Sequence, residues 1–161
     1  MNKIILILLT FCIGVTAQAQ SISFFDLTNL TNLTDGQAHN YLTLSGVFKH
    51  QYLEEKDGKK IEHFRSVSPA IKEQTVTIGE NTKLTNGSVL RSVFYTTRDP
   101  QHVVNMISQA KRGKLIMKFQ GADANNNIYI FDNEFYRVNM YISTSESKAS
   151  VEVKQKEFAG Y

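Results

Sequence analysis

The stretch over residues 99–131, DPQHVVNMISQAKRGKLIMKFQGADANNNIYIF, carries the clearest structural signals in the chain. Asp99 belongs to the residue types that cap helix N-termini, and Pro100 suits the first helical position. Apolar side chains at the spacing i, i+3, i+4 and i+7 then form one stripe: Val103, Met106, Ile107 and Ala110. The stretch therefore predicts a helix over residues 99–112 that packs through this stripe.

The end of this helix predicts a change to strand. Lys111 and Arg112 lie in the last turn, where the helix dipole favours cations, and Gly113 suits a left-handed exit. The hydrophobic period then changes from helical to alternating, which places three apolar residues on one face of a strand: Leu115, Met117 and Phe119.

The first nineteen residues have the pattern of a secretory signal peptide. Lys3 supplies a positive start, residues 4–15 are almost continuously apolar, and residues 17–19 read Ala-Gln-Ala, a cleavage signal. An uncleaved membrane anchor is the alternative, but the apolar segment is short against the ~20 residues that a spanning helix needs. We therefore expect residues 1–19 to be removed and the mature chain to begin at Gln20.

The leader also indicates a compartment. Its short length and its A-Q-A-Q end resemble the leaders of exported proteins in Gram-negative bacteria, which implies a periplasmic or secreted protein. Cys12 is the single cysteine, and Phe11 precedes it where a bacterial lipidation site requires a small residue. The leader therefore predicts export without a lipid anchor.

Composition excludes several classes of chemistry. The mature chain lacks cysteine, so it cannot form disulfides, thiolate metal sites or a cysteine nucleophile. Eighteen Lys and Arg residues against fifteen Asp and Glu residues give a formal net charge of +3, which does not indicate nucleic acid as a partner. We expect one domain over residues 20–161, with no transmembrane anchor after cleavage.

The remaining chain predicts two further helices and eight strands. The first helix is expected over residues 23–33. The second is expected to begin after Thr34, which can cap it, and to end at Gly46. Asp57-Gly58 is a strong hairpin signal between the first two strands. The predicted strands cover residues 47–55, 60–67, 74–79, 88–97, 114–120, 127–132, 134–143 and 149–156. This pattern predicts an α+β fold of mostly antiparallel sheet with packed helices.

Both halves of the chain, residues 34–97 and 99–157, read as one helix followed by four strands. One constant difference in residue number, which we call the first shift, matches Gly46 with Gly113, Phe48 with Leu115, Tyr52 with Phe119, Ile61 with Ile128, and Phe64 with Phe131. A slightly smaller difference, the second shift, matches Val76 with Val138, Ile78 with Met140, and Val89 with Val151. Two tandem α-β-β-β-β units explain these matches, although any two alternating hairpins also match at apolar positions.

This element order resembles that of cystatin-like and β-lactamase-inhibitor-like domains, in which a helix packs on an antiparallel sheet. The segment over residues 74–79, QTVTIG, is similar to the cystatin Q-x-V-x-G hairpin but contains one additional residue and lies in a predicted strand. The resemblance implies the fold, and it transfers no inhibitory residues to this chain.

One polar cluster matches part of a calcium-binding loop. Asp123, Asn125 and Asn127 take positions 1, 3 and 5 of such a loop, and Glu134 takes position 12. Position 6 should be glycine but is Ile128, within a predicted strand. A polar turn is the alternative explanation, because Asn and Asp are common in turns.

The mature chain contains four histidines: His39, His50, His63 and His102. They form no metal-binding or catalytic motif, and no cofactor motif is present. The hairpin register allows His50 and His63 to be near neighbours across Asp57-Gly58, and ordinary positions on the sheet surface are the equal alternative. Together with a carboxylate, either Glu62 or Asp132, the two histidines would form the site of a hydrolase if they met in one pocket.

Two other groups of side chains have both a binding and a structural explanation. Four basic residues could contact a phosphate or an acidic partner, although the helix C-terminus explains the first two: Lys111, Arg112, Lys114 and Lys118. The aromatic residues could stack on a sugar, and core packing is the simpler explanation: Phe94, Tyr95, Tyr129, Phe131, Phe135, Tyr136 and Tyr141.

The sequence thus favours an exported, non-catalytic binding protein of the bacterial envelope. Its expected partner is a protein or another envelope component, because an antiparallel sheet offers edges and a broad face for recognition. An exported hydrolase with a site of His and carboxylate side chains is the alternative.

Overall fold

A computed structural model describes residues 21–69 and 72–157, so the predicted signal peptide lies outside the described residues. The helices are α1 (Phe24–Asn32), α2 (Asp35–Leu44) and α3 (Pro100–Arg112). The strands are β1 (Phe48–Lys56), β2 (Lys59–Ser66), β3 (Gln74–Lys83), β4 (Val89–Thr97), β5 (Ile116–Ala122), β6 (Asn126–Asp132), β7 (Tyr136–Ser143) and β8 (Ala149–Gln155). This architecture confirms the α+β prediction.

All eight strands form one antiparallel sheet in the order β1-β2-β3-β4-β8-β7-β6-β5. Helix α2 packs on β1 and β3, α3 packs on β7 and β8, and α1 lies over the central strands β4 and β8. The side chains between the helices and the sheet form one hydrophobic core. Four of them are the α3 stripe predicted from the sequence: Val103, Met106, Ile107 and Ala110.

The two halves of the sheet share one pairing register. In β1 a bulge follows His50, whose partner is Phe64; in β5 a bulge follows Met117, whose partner is Phe131. The first shift relates both pairs, so it describes the first hairpin of each half correctly.

The second shift holds for only part of the later strands. It relates β3 to β7, where Val76 and Val138 take equivalent places in the register. The match of Val89 with Val151 was wrong. Tyr95 pairs with Val76 and Val153 pairs with Val138, so the register makes Val93 the counterpart of Val151.

The starts of the three helices agree with the prediction, but the expected side-chain cap of α3 is absent. Ser23 caps α1 through a capping box with Asp26, and Thr34 caps α2 through a box with Gln37. Asp99 stands at the N-cap position of α3, but its side chain does not cap the helix. Its carboxylate lies 3.4 Å from the Lys72 ammonium instead.

The exit of α3 also differs from the prediction. Gly113 has φ −73°, which is not left-handed, and Lys114 takes the left-handed conformation with φ 61°. The helix keeps its turn through Gly113, whose N–H donates to the Gln109 carbonyl at 2.8 Å. The chain reverses one residue later and brings Leu115 into the core.

Besides β1, two strands depart from simple alternation because of bulges, β5 and β3. The extra residue Lys118 in β5 places Met117 on the core side and Phe119 on the opposite side, so the predicted common face of the two was wrong. The strand β3 does not end at Gly79 but continues to Lys83 after a bulge, in the region predicted as a loop. The predicted Asp57-Gly58 turn is present, with both residues at positive φ.

None of the helices in the described part of the chain is long and apolar enough to cross a membrane.

Candidate functional site

The two faces of the sheet have different surroundings. One face lies under the three helices, whereas no described helix packs on the other, which we call the open face. The pairing register places one side chain from each strand in a row across the open face. From β1 to β5 this cross-sheet row is Tyr52, His63, Thr77, Phe94, Glu152, Asn139, Ile130 and Phe119.

The cross-sheet row has aromatic side chains at both ends and near its centre. Tyr52 is 55% exposed and Phe119 is 47% exposed, on opposite edge strands, and Phe94 lies on the central strand β4. The Tyr52 ring stacks on His63 at a centroid distance of 4.2 Å. Exposed aromatic side chains of this kind are the usual anchors of protein interfaces, since they provide large contact areas with few rotatable bonds.

Polar contacts fix the positions of the side chains between these aromatic residues. The His63 ring lies 3.2 Å from the Thr77 hydroxyl and 3.1 Å from the Glu54 carboxylate. In the other half of the row, the Asn139 amide donates to Glu152 at 2.8 Å. These contacts hold the row in a fixed shape before any partner arrives, which lowers the entropic cost of binding.

The histidines do not converge as one site. His50 lies on the helix side of the sheet, whereas His63 lies on the open face, because the bulge in β1 brings Tyr52 rather than His50 opposite His63. Asp132 is in the other half of the sheet, on β6. The interpretation of His50 and His63 as near neighbours was therefore wrong.

His39 and His50 instead share the carboxylate of Glu62. The Glu62 oxygen lies 2.6 Å from His39 Nδ1 and 3.5 Å from His50 Nε2, and both rings contact Phe64 edge-on. This cluster ties α2 to β1 and β2. The sequence could not indicate it, because the pairing of His39 with Glu62 depends on how α2 docks on the sheet.

The His39–Glu62–His50 cluster does not have the geometry of a metal site. A separation of 2.6 Å between a ring nitrogen and a carboxylate oxygen is a direct hydrogen bond, whereas two ligands at ~2.0–2.2 Å from one zinc ion lie farther apart. Across residues 21–69 and 72–157, no group of three or more His, Cys, Asp or Glu side chains could hold a metal ion.

The residues of the calcium hypothesis are separated by a strand. Asp123 precedes β6 and Glu134 follows it, so the seven residues of β6 lie between them. The Asp123 carboxylate accepts from the backbone N–H groups of Asn125 and Asn126 at 2.7 and 2.6 Å. These bonds lower the pKa of Asp123 and close a polar turn. The structure therefore shows the turn that was the alternative explanation.

The His102 side chain of α3 lies half-buried against β4. Its Nδ1 lies 2.6 Å from the hydroxyl of Tyr95, which is fully buried, and its ring also hydrogen-bonds to the backbone of Ile22. Burial lowers the pKa of His102 from its ordinary value, an effect that the nearby Asp99 carboxylate partly opposes. Burial also raises the pKa of Tyr95, so this hydroxyl keeps its proton.

We expect the free energy of unfolding to fall as the pH drops below about 6.5, the ordinary pKa of histidine. The unfolded chain takes up a proton on His102 first, because burial in the folded chain lowers the pKa of this group. Urea unfolding at pH 7.5 and pH 5.5 measures the loss. His102→Gln should reduce the difference between the two pH values, and an unchanged difference would exclude His102 as its source.

A small cleft lies between α1, α2 and the start of β1, with a volume of about 220 Å³. Its lining is largely apolar, but Asp26 and Tyr41 meet in it and form a short hydrogen bond. The bond to Asp26 raises the pKa of Tyr41 to about 12. The Asp26 carboxylate also accepts from Ser23 and is therefore fully engaged within the chain.

A wider groove of about 450 Å³ lies beside the edge strand β5. Two of the basic residues noted in the sequence, Lys114 and Lys118, line it together with Ile116 and Phe135. Lys111 and Arg112 lie nearby in the sequence, in the last turn of α3. The sequence therefore indicated the basic character of this edge, whereas the position of Phe135 beside Ile116 follows from the fold.

No protein-family model matches the chain, and no curated protein or solved structure is significantly similar to it. Its class is therefore defined by architecture: an antiparallel sheet of eight strands, covered by helices on one face and without a described helix on the other.

Proposed function

We propose that this protein is an exported, non-catalytic binding protein that recognises a protein component of the bacterial envelope through the open face. The observation that carries the proposal is the cross-sheet row, with exposed Tyr52 and Phe119 at its ends and Phe94 near its centre. Exposed aromatic side chains are enriched among the residues that anchor protein interfaces, and this face presents them without a described helix to cover them. Export follows from the leader over residues 1–19, and a mature N-terminus at Gln20 is expected.

The histidine positions support binding rather than hydrolysis. His50 and His63 face opposite sides of the sheet, and each contacts its own carboxylate, Glu62 and Glu54 respectively. The Glu62 cluster also connects α2 to the sheet, which is a structural role. A hydrolase remains the alternative outcome of the experiment below.

The proposal is tested by capture from an envelope extract with the mature protein as bait. Phe94→Ala should reduce the amount of captured partner at least about tenfold, as expected for an interface anchor. Leu44→Ala is the matched control, since Leu44 is an exposed apolar residue at the end of α2, on the helix side. Circular dichroism establishes that both variants are folded.

Two results would contradict the proposal. Equal capture by the wild-type protein and Phe94→Ala would show that the open face is not the binding surface. Hydrolysis in a substrate panel that is lost in His50→Ala or His63→Ala would show that the protein is an enzyme.

A further inference from the structure

The strand β5 leaves one side of its backbone unpaired. It lies at the end of the sheet and hydrogen-bonds only to β6 among the described strands. A strand edge of this kind can pair with an extended segment of another chain through main-chain hydrogen bonds. The outer N–H and C=O groups of β5 therefore provide a docking edge whose side-chain surroundings determine what it accepts.

The surroundings of β5 combine exposed apolar side chains with lysines. Ile116 is 59% exposed and points to the same side of the sheet as Phe119, because the bulge at Lys118 changes the alternation. The groove beside them is also lined by Lys114, Lys118 and Lys156. An added strand would thus lie beside the exposed β5 side chains Ile116, Lys118 and Phe119, and would meet apolar contacts and a positive charge together.

The charges of the groove are not balanced within the chain. Two carboxylates line it, Asp132 and Glu134, and the Asp132 carboxylate already binds Lys156 at 2.6 Å. Lys114 and Lys118 form no salt bridge with any residue in the described part of the chain. Glu134 likewise forms no salt bridge among the described residues, so the three lysines of the groove exceed its two carboxylates by one positive charge, which an acidic partner would neutralise.

The opposite edge strand, β1, does not share this charge. The first shift, which relates the two hairpins, places Glu54 and Glu55 of β1 at the positions of Gly121 and Ala122 in β5. The described β5 strand accordingly contains a lysine and no carboxylate, whereas β1 contains both signs. The positive charge without a carboxylate is thus a feature of the β5 edge and not of both edge strands.

We propose that the β5 edge binds an extended acidic segment of a partner protein, which adds to the sheet as a ninth strand. This inference rests on the proposed function and names the chemistry of its partner. A second β5 edge is disfavoured as occupant, because its lysines would face those of the first. An anionic lipid would neutralise the lysines but would leave the main-chain groups of β5 unpaired.

The test is a selection of random peptides displayed on phage, with the mature protein as target. The enriched peptides are expected to contain an excess of Asp and Glu between apolar residues. The most enriched peptide is then synthesised, and its Kd is measured by fluorescence anisotropy. Lys118→Glu should weaken its binding at least tenfold. Binding should also weaken as the NaCl concentration is raised, since salt screens exposed charges.

The matched control is Gln51→Glu, because Gln51 is the bulge residue at the corresponding position in β1. This variant adds one carboxylate to the other edge and should leave the Kd unchanged. Enriched peptides without an acidic excess, or equal weakening by both variants, would overturn the inference. The inference would also be overturned if no peptide were enriched and the protein bound vesicles of anionic phospholipid in a way that depends on Lys118.

The inference and the proposed function fail separately. An envelope partner that is lost with Phe94→Ala but retained with Lys118→Glu would support the open face as the binding surface and exclude the β5 edge. Peptide binding that depends on Lys118, without any envelope partner sensitive to Phe94→Ala, would support the edge site and contradict the proposed role of the open face.

Discussion

Replacing Ile107 with Asp is expected to lower the free energy of unfolding by about 3–5 kcal/mol. Ile107 is 8% exposed and lies in the α3 stripe that packs on β7 and β8. The substitution removes a buried aliphatic side chain and places a carboxylate among apolar neighbours. A typical domain is stable by only about 5–15 kcal/mol, so the loss is a large fraction of the total.

Val104→Asp is the control for this prediction. Val104 lies in the same helix but is 40% exposed, so the new carboxylate would be largely hydrated. We expect a change of about 1 kcal/mol or less in urea unfolding followed by circular dichroism. If both variants unfold at the wild-type urea concentration, the α3 stripe is not part of the core.

The features predicted correctly from the sequence are those that depend on local periodicity. The α3 stripe is visible within a short run of consecutive residues, and Ser23 and Thr34 stand directly before the helices that they cap. The strand β8 follows the same local rule, because its alternating residues Val151 and Val153 are fully or almost fully buried. Each of these signals needs only neighbours in the sequence, because helix and strand periods are properties of the local backbone.

The features that were missed depend on a single inserted residue or on docking. The bulge at Lys118 moves Phe119 to the open face, and no composition signal distinguishes such a bulge from regular alternation. The contact of His39 with Glu62 joins residues 23 positions apart on a helix and a strand. The candidate site was therefore only partly predictable: the exposed sheet was expected, but the members of the cross-sheet row follow from the register.

The first hairpins of the two halves repeat one pairing register, and this explains why the first shift matched their residues correctly. The bulges after His50 and Met117 occupy corresponding positions, so the two hairpins repeat an irregular feature and not only an alternating pattern. The correspondence changes in the later strands because the β3–β4 hairpin is longer than the β7–β8 hairpin, and part of the additional length is a bulge near Gly79 that β7 and β8 lack. Gly79 is therefore a position where the two halves differ in backbone as well as in sequence.

Replacing Gly79 with Ala is expected to destabilise the protein by about 3–5 kcal/mol. Gly79 has φ +94°, a conformation that residues with a Cβ rarely adopt. A Cβ atom at this position would also lie 2.1 Å from the Lys60 carbonyl oxygen in β2. Because both atoms are attached to backbone in the middle of the sheet, a side-chain rotation cannot relieve the clash, and β2 and β3 must move apart.

Gly87→Ala separates the two causes of this loss. Gly87 has φ +86°, but no atom lies within 4 Å of the Cβ that the substitution would add. We therefore expect only the cost of the unusual backbone conformation there, about 1–2 kcal/mol. Urea unfolding of both variants measures the difference, with the slope of the transition unchanged. A larger loss of unfolding free energy in Gly79→Ala than in Gly87→Ala would assign the excess to the close approach of β2 and β3 at the bulge. Equal losses would show that this contact contributes nothing.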